Sequence, residues 1–348
     1  MTNRFSPEAE LPKPSPDFDN LLAVLRCETP SRPTLFEFFH NDPLYRRLTK
    51  RLGVAADAPD WLVRLLSFGV LGYDYATVNV PNFIFHSDRD AHGQSTVSLN
   101  QGTMISDRKS FDAYEWPDPA AADYAHLDLA AEHLFDGMKL VIPGPGGVLE
   151  NVIQLVGYES LCFMIVEDEQ LVFDVFEQVG SRLVDFYARV SPHSEVGACI
   201  SNDDWGFNLQ TMLSPADMRR FVFPWHKRIV ETIHAAGKPA ILHSCGCYDE
   251  VIEDVIEDMK FDGRHSYEDN IKPIEQAYDE LEGRIAVLGG IDVDFICRHS
   301  AEQVYERSKA MVERGAAGGY ALGTGNSVPE YVPDEGFMAV VRAALDYR

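Results

Sequence analysis

From Ser214 onward the chain alternates stretches of helical period with short apolar runs, and this alternation constrains its fold more than any other feature. Ser214-Pro215 opens a helix that runs through His234, with Ser214 as N-cap and Pro215 in the first helical position; Gly237 ends it. A strand over 239–243 follows, then a helix over 248–259, a strand end at 261–262, a helix over 272–281 and a strand over 285–288. A helix over 301–314, a strand over 319–322, a loop over 323–327 and a last helix starting near Asp334 complete the pattern. Strands joined by single helices pair in parallel, which leaves a doubly wound sheet or a barrel. Polar residues at successive strand ends favour the barrel: Asp203 and Asp204 after the strand-like run 198–201, then His243 and Cys245, His265 and Glu268, Asp292, and Asn326. In a (β/α)8 TIM barrel such ends converge on one mouth. No GxGxxG fingerprint opens a helix to support a Rossmann fold. The expected architecture is therefore a (β/α)8 barrel with N-terminal helical decoration. A single domain spans 1–348, 1–19 being a loosely ordered extension and 87–121 a decoration on the core.

Several residues carry chemistry in this pattern. His243, Cys245 and Cys247 alternate directly after an apolar strand, and imidazole with thiolate is a donor set that suits zinc. A buried histidine beside small, hydrophobe-like cysteines is the structural alternative. Asp203 and Asp204 are adjacent, so on a strand they face opposite ways and at most one looks into the barrel. That carboxylate can bind metal, orient a histidine or move a proton; otherwise it caps the next turn. Asp74 lies between apolar segments, where burial is costly without a partner. Asp292 and Asn326 sit in glycine-containing strand ends. Gly144-Pro145-Gly146-Gly147 could cradle an anion, although its proline lacks a donor and no P-loop lysine follows. No serine occupies a nucleophile-elbow pattern.

Composition narrows the partners. A formal net charge of −25 repels phosphate backbones and anionic lipid headgroups, which argues against nucleic acid or a membrane surface. Six scattered cysteines in a long chain point to reduced thiols rather than a disulfide framework, and with a polar N-terminus lacking a signal-like apolar run they lead to an expected cytoplasmic location. No run approaches the ~18 apolar residues of a membrane span.

Taken together, Asp203-Asp204-Trp205-Gly206, Leu213-Ser214-Pro215, Pro224-Trp225-His226-Lys227, Ala236-Gly237-Lys238, His243-Ser244-Cys245-Gly246, Gly289-Gly290-Ile291-Asp292 and Gly318-Gly319-Tyr320 resemble the uroporphyrinogen decarboxylase superfamily from about Arg32 to the C-terminus. The pattern is closest to its corrinoid-dependent methyltransferase branch. The resemblance implies zinc held by His243 and Cys245, with a third ligand at the position of Asn326, which is not a cysteine; Cys247, Asp204 or Glu268 then stand as substitutes. It implies methyl transfer between a small methylated substrate or thiol and a corrinoid (cobalamin) carried by a separate protein, with Asp204 or Asp292 orienting groups or moving protons. A homodimer is compatible with it. The arginine-rich N-terminal motif and late-loop histidine of true decarboxylases are missing, and only Asp74 looks like their catalytic aspartate, so decarboxylation of a tetrapyrrole or other carboxylated substrate ranks second. The mouth loops supply few cations for it. A non-catalytic small-molecule binding protein is the third reading, motivated by Asn326.

Overall fold

A computed structural model describes residues 3–87, 99–100 and 103–348. Seven parallel strands pair in sequence order: β1 (Tyr75–Thr77), β2 (Lys139–Pro143), β3 (Val196–Asn202), β4 (Ala240–His243), β5 (Gly263–His265), β6 (Ala286–Leu288) and β7 (Tyr320–Ala321). Such an order, with helices between, curls the sheet into the expected barrel, here an open one. Residues 34–38 take the eighth position. Leu35 bridges Leu322 in parallel, Phe36 N–H donates to the Leu322 carbonyl (2.8 Å) and Leu322 N–H to the Thr34 carbonyl (2.8 Å). Toward β1 the described contacts of this segment run through side chains: the Tyr75 hydroxyl bonds the Glu37 carbonyl (2.5 Å) and amide (2.6 Å), and Thr77 Oγ1 donates to the Phe38 carbonyl (2.9 Å). The seam between 34–38 and β1 is where the sheet opens.

The strands are short and almost wholly buried, as parallel strands covered by helices must be. Ser214 caps the turn Pro215–Asp217 by accepting from Asp217 N–H (3.1 Å), and after a wide turn the helix continues over Phe223–Ala235 to Gly237 at φ +72°. The helices Ile274–Leu281, Ala301–Arg314 and Asp334–Leu345 fall where the apolar period places them. The stretch expected to be a regular helix over 248–259 instead breaks into a tight turn at Asp249–Val251 and a wide one at Asp254–Asp258. Its paired β-branched residues, Val251-Ile252 and Val255-Ile256, are poor helix formers.

The first residues lie against the body: Phe5 is buried beside Tyr305, and Arg51 bonds the Pro7 carbonyl. Of the region 87–121, residues 88–98 and 101–102 lie outside the described residues; the rest holds the helix Arg108–Ala113 and a turn at Pro119–Ala121. Among the described residues no single helix is long and apolar enough to cross a membrane. The pair Val148–Val156 and Tyr158–Glu167 passes that test only jointly, with a 91° bend between them.

Candidate metal centre

Strand register builds the site. His243, the last residue of β4, pairs with Asn202 of β3 on one side and His265 of β5 on the other. Side chains at paired positions share a face, so the two imidazoles meet at the mouth with their Nδ1 atoms 2.7 Å apart. Burial lowers the pKa of both, His265 to about 4, and His243 further because His265 stands beside it. Both rings are therefore neutral near pH 7, and one Nδ1 carries the shared proton. With that proton on His243, its Nε2 lone pair is free for a cation, and it points at Cys245 Sγ, 3.8 Å away.

Beyond the strands, the continuations of β3 and β4 zip together. Asp203 N–H donates to the His243 carbonyl (2.9 Å), Gly206 N–H to Cys245 (3.1 Å) and Cys247 N–H to Phe207 (2.7 Å). The approach is close enough that a Cβ on Gly246, which has φ +84°, would lie 2.0 Å from the Gly206 carbonyl oxygen, so glycine is needed there on two grounds. This zipper brings Asp204 to the cluster, where its Oδ1 accepts from Cys245 N–H (3.0 Å). One ligand atom each from Asp204, His243 and Cys245 lie within 4.8 Å of one another.

The sulfur is poised as an acceptor. Asn326 Nδ2 donates to Cys245 Sγ at 3.3 Å and Ser266 Oγ at 3.5 Å. Burial, and then the Asp204 charge, push the thiol pKa up; these two donors pull it back. Ser266 holds φ +86°, a conformation sparsely populated by residues with a Cβ, and thereby aims its hydroxyl. Neither His265 nor Ser266 stands out as a ligand partner in the sequence; the signal for His265 is its placement at a strand end, and for Ser266 there is none.

The residues present fit zinc. Bond lengths of 2.0–2.1 Å to nitrogen and 2.3 Å to sulfur give a tetrahedral N–S edge of about 3.6 Å, close to the 3.8 Å found, and three protein ligands leave a fourth position open. Asn326, at the position where the resemblance implies a third ligand, instead donates to the sulfur, and Asp204 is the residue whose oxygen could serve as third ligand. Cys247 does not join the cluster.

The other candidates lie outside the Asp204, His243 and Cys245 group, although Asp292 and Glu268 line a cavity that also touches Asn326. Asp203 faces the opposite way from Asp204 and is fully buried, accepting from Leu149 N–H (2.9 Å), Glu150 N–H (2.8 Å), Trp205 Nε1 (2.9 Å) and bonding His226 Nε2 (2.7 Å). The glycine turn at 144–147 packs against this carboxylate, since a Cβ on Gly147 would strike it at 2.2 Å, but the amides that hold the carboxylate are those of Leu149 and Glu150, and Gly147 N–H donates to Glu150 Oε2 (2.9 Å) instead. Asp292 caps the helix Val293–Arg298, its oxygens taken by Phe295 N–H (2.8 Å) and Asp269 N–H (2.9 Å). Asp74 precedes β1, at the end of the sheet opposite the mouth, where it pairs with Arg32 and accepts from Asp17 N–H (2.8 Å). That leaves it away from the cluster. Glu268 lines a cavity of about 1000 Å3 that also touches Asn326; burial and the charges of Asp292 and Asp204 raise its pKa. Glu150, behind Asp203, is raised to about 8, first by burial and then by Asp203 and Asp204.

Residues 103–347 match the family described as uroporphyrinogen decarboxylase (URO-D). The chain belongs to this family. No curated protein shows significant sequence similarity to it. Among solved structures, a methyltransferase from Methanosarcina mazei superposes with a TM-score of 0.68 at 14% identity, over 94% of this chain and 98% of that one. A sugar phosphate isomerase/epimerase from Parabacteroides distasonis matches more loosely, with a TM-score of 0.43 at 12% identity over 90% and 95%. This URO-D-family enzyme thus combines an open parallel barrel with an Asp/His/Cys cluster able to coordinate a metal ion.

Proposed function

We propose that this URO-D-family chain is a zinc-dependent methyltransferase that moves a methyl group between a small substrate and a corrinoid brought by a separate protein. The observation that carries the reading is the Asp204, His243 and Cys245 cluster at the barrel mouth. A solved structure of similar fold is called a methyltransferase, which agrees with it. Zinc bound to such a set supplies Lewis acidity, favouring the thiolate of a bound thiol or polarising a heteroatom that loses its methyl group.

The protein's own residues do the rest. His265 holds the His243 ring in the orientation that presents Nε2, and Asn326 and Ser266 direct hydrogen bonds at Cys245 Sγ. Glu268, raised in pKa and facing the large cavity, is the group suited to hold or give up a proton at the substrate heteroatom. Tetrapyrrole decarboxylation loses its candidate aspartate, because Asp74 lies at the far end of the sheet.

The test is zinc content of the wild type, His243→Ala and Cys245→Ala, followed by loss of the methylcob(III)alamin absorbance on addition of small thiols. About one zinc per chain in the wild type, lost from both variants along with thiol-dependent demethylation, is expected. A wild type that stays free of metal after zinc supplementation sinks the proposal. Zinc without any transfer favours a binding role.

A further inference from the structure

Beside the open seam of the barrel, a cation lines a small cavity at the strand ends. Arg64, on the helix Asp60–Leu71 outside the sheet, lines a cavity of about 200 Å3 together with Phe38, Phe39, Thr77, Pro143 and Gly144. Thr77 ends β1 and Pro143 ends β2, which fixes the cavity at the same end of the sheet as His243. Phe38 forms one of its walls, and the same ring packs on the His243 imidazole with centroids 4.6 Å apart. The cavity and the metal centre are thus separated by one aromatic side chain.

Acidic residues outnumber basic ones 55 to 30, and cations near the described carboxylates are widely paired, yet Arg64 forms no ion pair and no hydrogen bond among the described residues. Its Nε is buried without a partner. Its nearest aromatic support is the Tyr45 ring, 5.6 Å from Cζ. Buried donors are nearly always satisfied, and leaving one unmade is costly. A guanidinium fork facing a small cavity is matched by a planar or tetrahedral oxyanion. The neighbouring His40 adds no second positive charge beside it, since burial, and then Arg64 itself, hold its pKa down at about 3.

We infer that Arg64 anchors a compact oxyanion, a carboxylate or a phosphate, at one end of the substrate, leaving the other end of that molecule toward the metal centre. The assignment of the reacting end rests on the methyl-transfer reading; the anion site does not. A carboxylated small metabolite with its reactive heteroatom a few bonds away fills both positions. Phe38 then serves as the divider that sets the distance between them.

The experiment measures thermal shift and calorimetric binding of propionate, inorganic phosphate and the neutral isostere propionamide, at constant ionic strength in chloride. The wild type, Arg64→Met and Arg64→Lys are compared without any corrinoid. Saturable binding of propionate or phosphate to the wild type, none of propionamide, and weakening by about tenfold or more in Arg64→Met is expected, the loss of one charge-assisted pair. Arg64→Lys keeps the charge but not the fork, and falls between. Which anion binds tells a carboxylate substrate from a phosphorylated one. Arg64→Met retains the apolar stem and removes the orphaned Nε, so its melting temperature without anion is expected to stay level or rise. Should it unfold, Arg64→Lys against wild type decides. No anion binding by the wild type, equal binding by the variants, or equal binding of propionamide overturns the inference. Anion binding by a wild type that takes up no zinc would overturn the methyl-transfer reading alone.

Discussion

At the scale of single residues the site depends on neighbours more than on ligands. His243 and Cys245 are visible in the sequence because they alternate after an apolar strand, and Asp204 because it follows another. That Asp204, rather than Cys247, completes the cluster is decided by the zipper between the ends of β3 and β4, which no local pattern reports. The choice between Asp203 and Asp204 is likewise a matter of which way each faces, and alternation says only that they differ. His265 is legible only as a polar residue at a strand end, since its role beside His243 comes from strand register. Replacing it by Phe keeps a ring packed on Phe36, 5.2 Å away between centroids, but deletes the Nδ1 that orients His243. Zinc affinity, read by competition with a chromophoric chelator, is expected to fall about 10–100-fold. An unchanged affinity would mean that packing alone orients His243.

Between elements, two buried carboxyls act as fasteners in opposite ways. Asp203 ties the end of β3 to the first turn of the helix Val148–Val156 and to His226 on the helix Phe223–Ala235. Asp203→Ala strands two backbone amides, the Trp205 indole N–H and one imidazole nitrogen, so urea unfolding should show a loss of about 3–5 kcal/mol. A loss below about 1 kcal/mol would mean that water takes the carboxylate's place. Glu37 fastens the residues 34–38 to the loop after β7, bonding Thr324 N–H (2.6 Å) and Oγ1 (2.7 Å). Burial outweighs these bonds and raises its pKa from 4.5 to about 8. The folded chain therefore keeps a proton that the unfolded chain releases near pH 4.5. The stability this group contributes is full below that pH and is lost as pH rises toward 8, by at most about 1.4 kcal/mol per pH unit. Glu37→Gln keeps the shape of the neutral acid and offers an amide to Thr324 Oγ1, so it is expected to fold normally at pH 7 and to flatten the decline between pH 5 and 8. Denaturant melts at several pH values check this; a slope identical to wild type would show that Glu37 does not titrate there. Of the elements joined by these fasteners, the helix Phe223–Ala235 is readable from period and caps and the helix Val148–Val156 is not singled out; the fasteners themselves leave no local signal, because each joins positions far apart in the chain.

For the whole molecule, the barrel was legible from strand and helix alternation in the second half of the chain alone. In the first half the strands are not set off by the regular helix-strand alternation that marks the second, and the eighth position is filled by a bridged segment rather than a paired strand. Sequence patterns report periodicity, not closure, so an open seam is invisible to them. Charge, by contrast, is fully legible, and it sets a global property. The excess of 25 acidic groups makes the compact state repel itself, while most ion pairs, such as Arg298 with Asp294 or Arg4 with Glu302, are exposed and worth about 0–1 kcal/mol each. Salt screens both, with a Debye length of about 10 Å at 0.1 M and about 3 Å at 1 M. A pair in contact at 2.7–3.0 Å lies inside even the shorter length, whereas repulsion summed across the molecule lies outside it. Screening therefore removes more repulsion than attraction. The melting temperature is expected to rise as sodium chloride is increased from about 0.02 to 0.5 M, and to rise less in a variant with several exposed carboxylates changed to amides. A fall with salt in the wild type would show that its ion pairs, and not its net charge, govern the stability of the barrel.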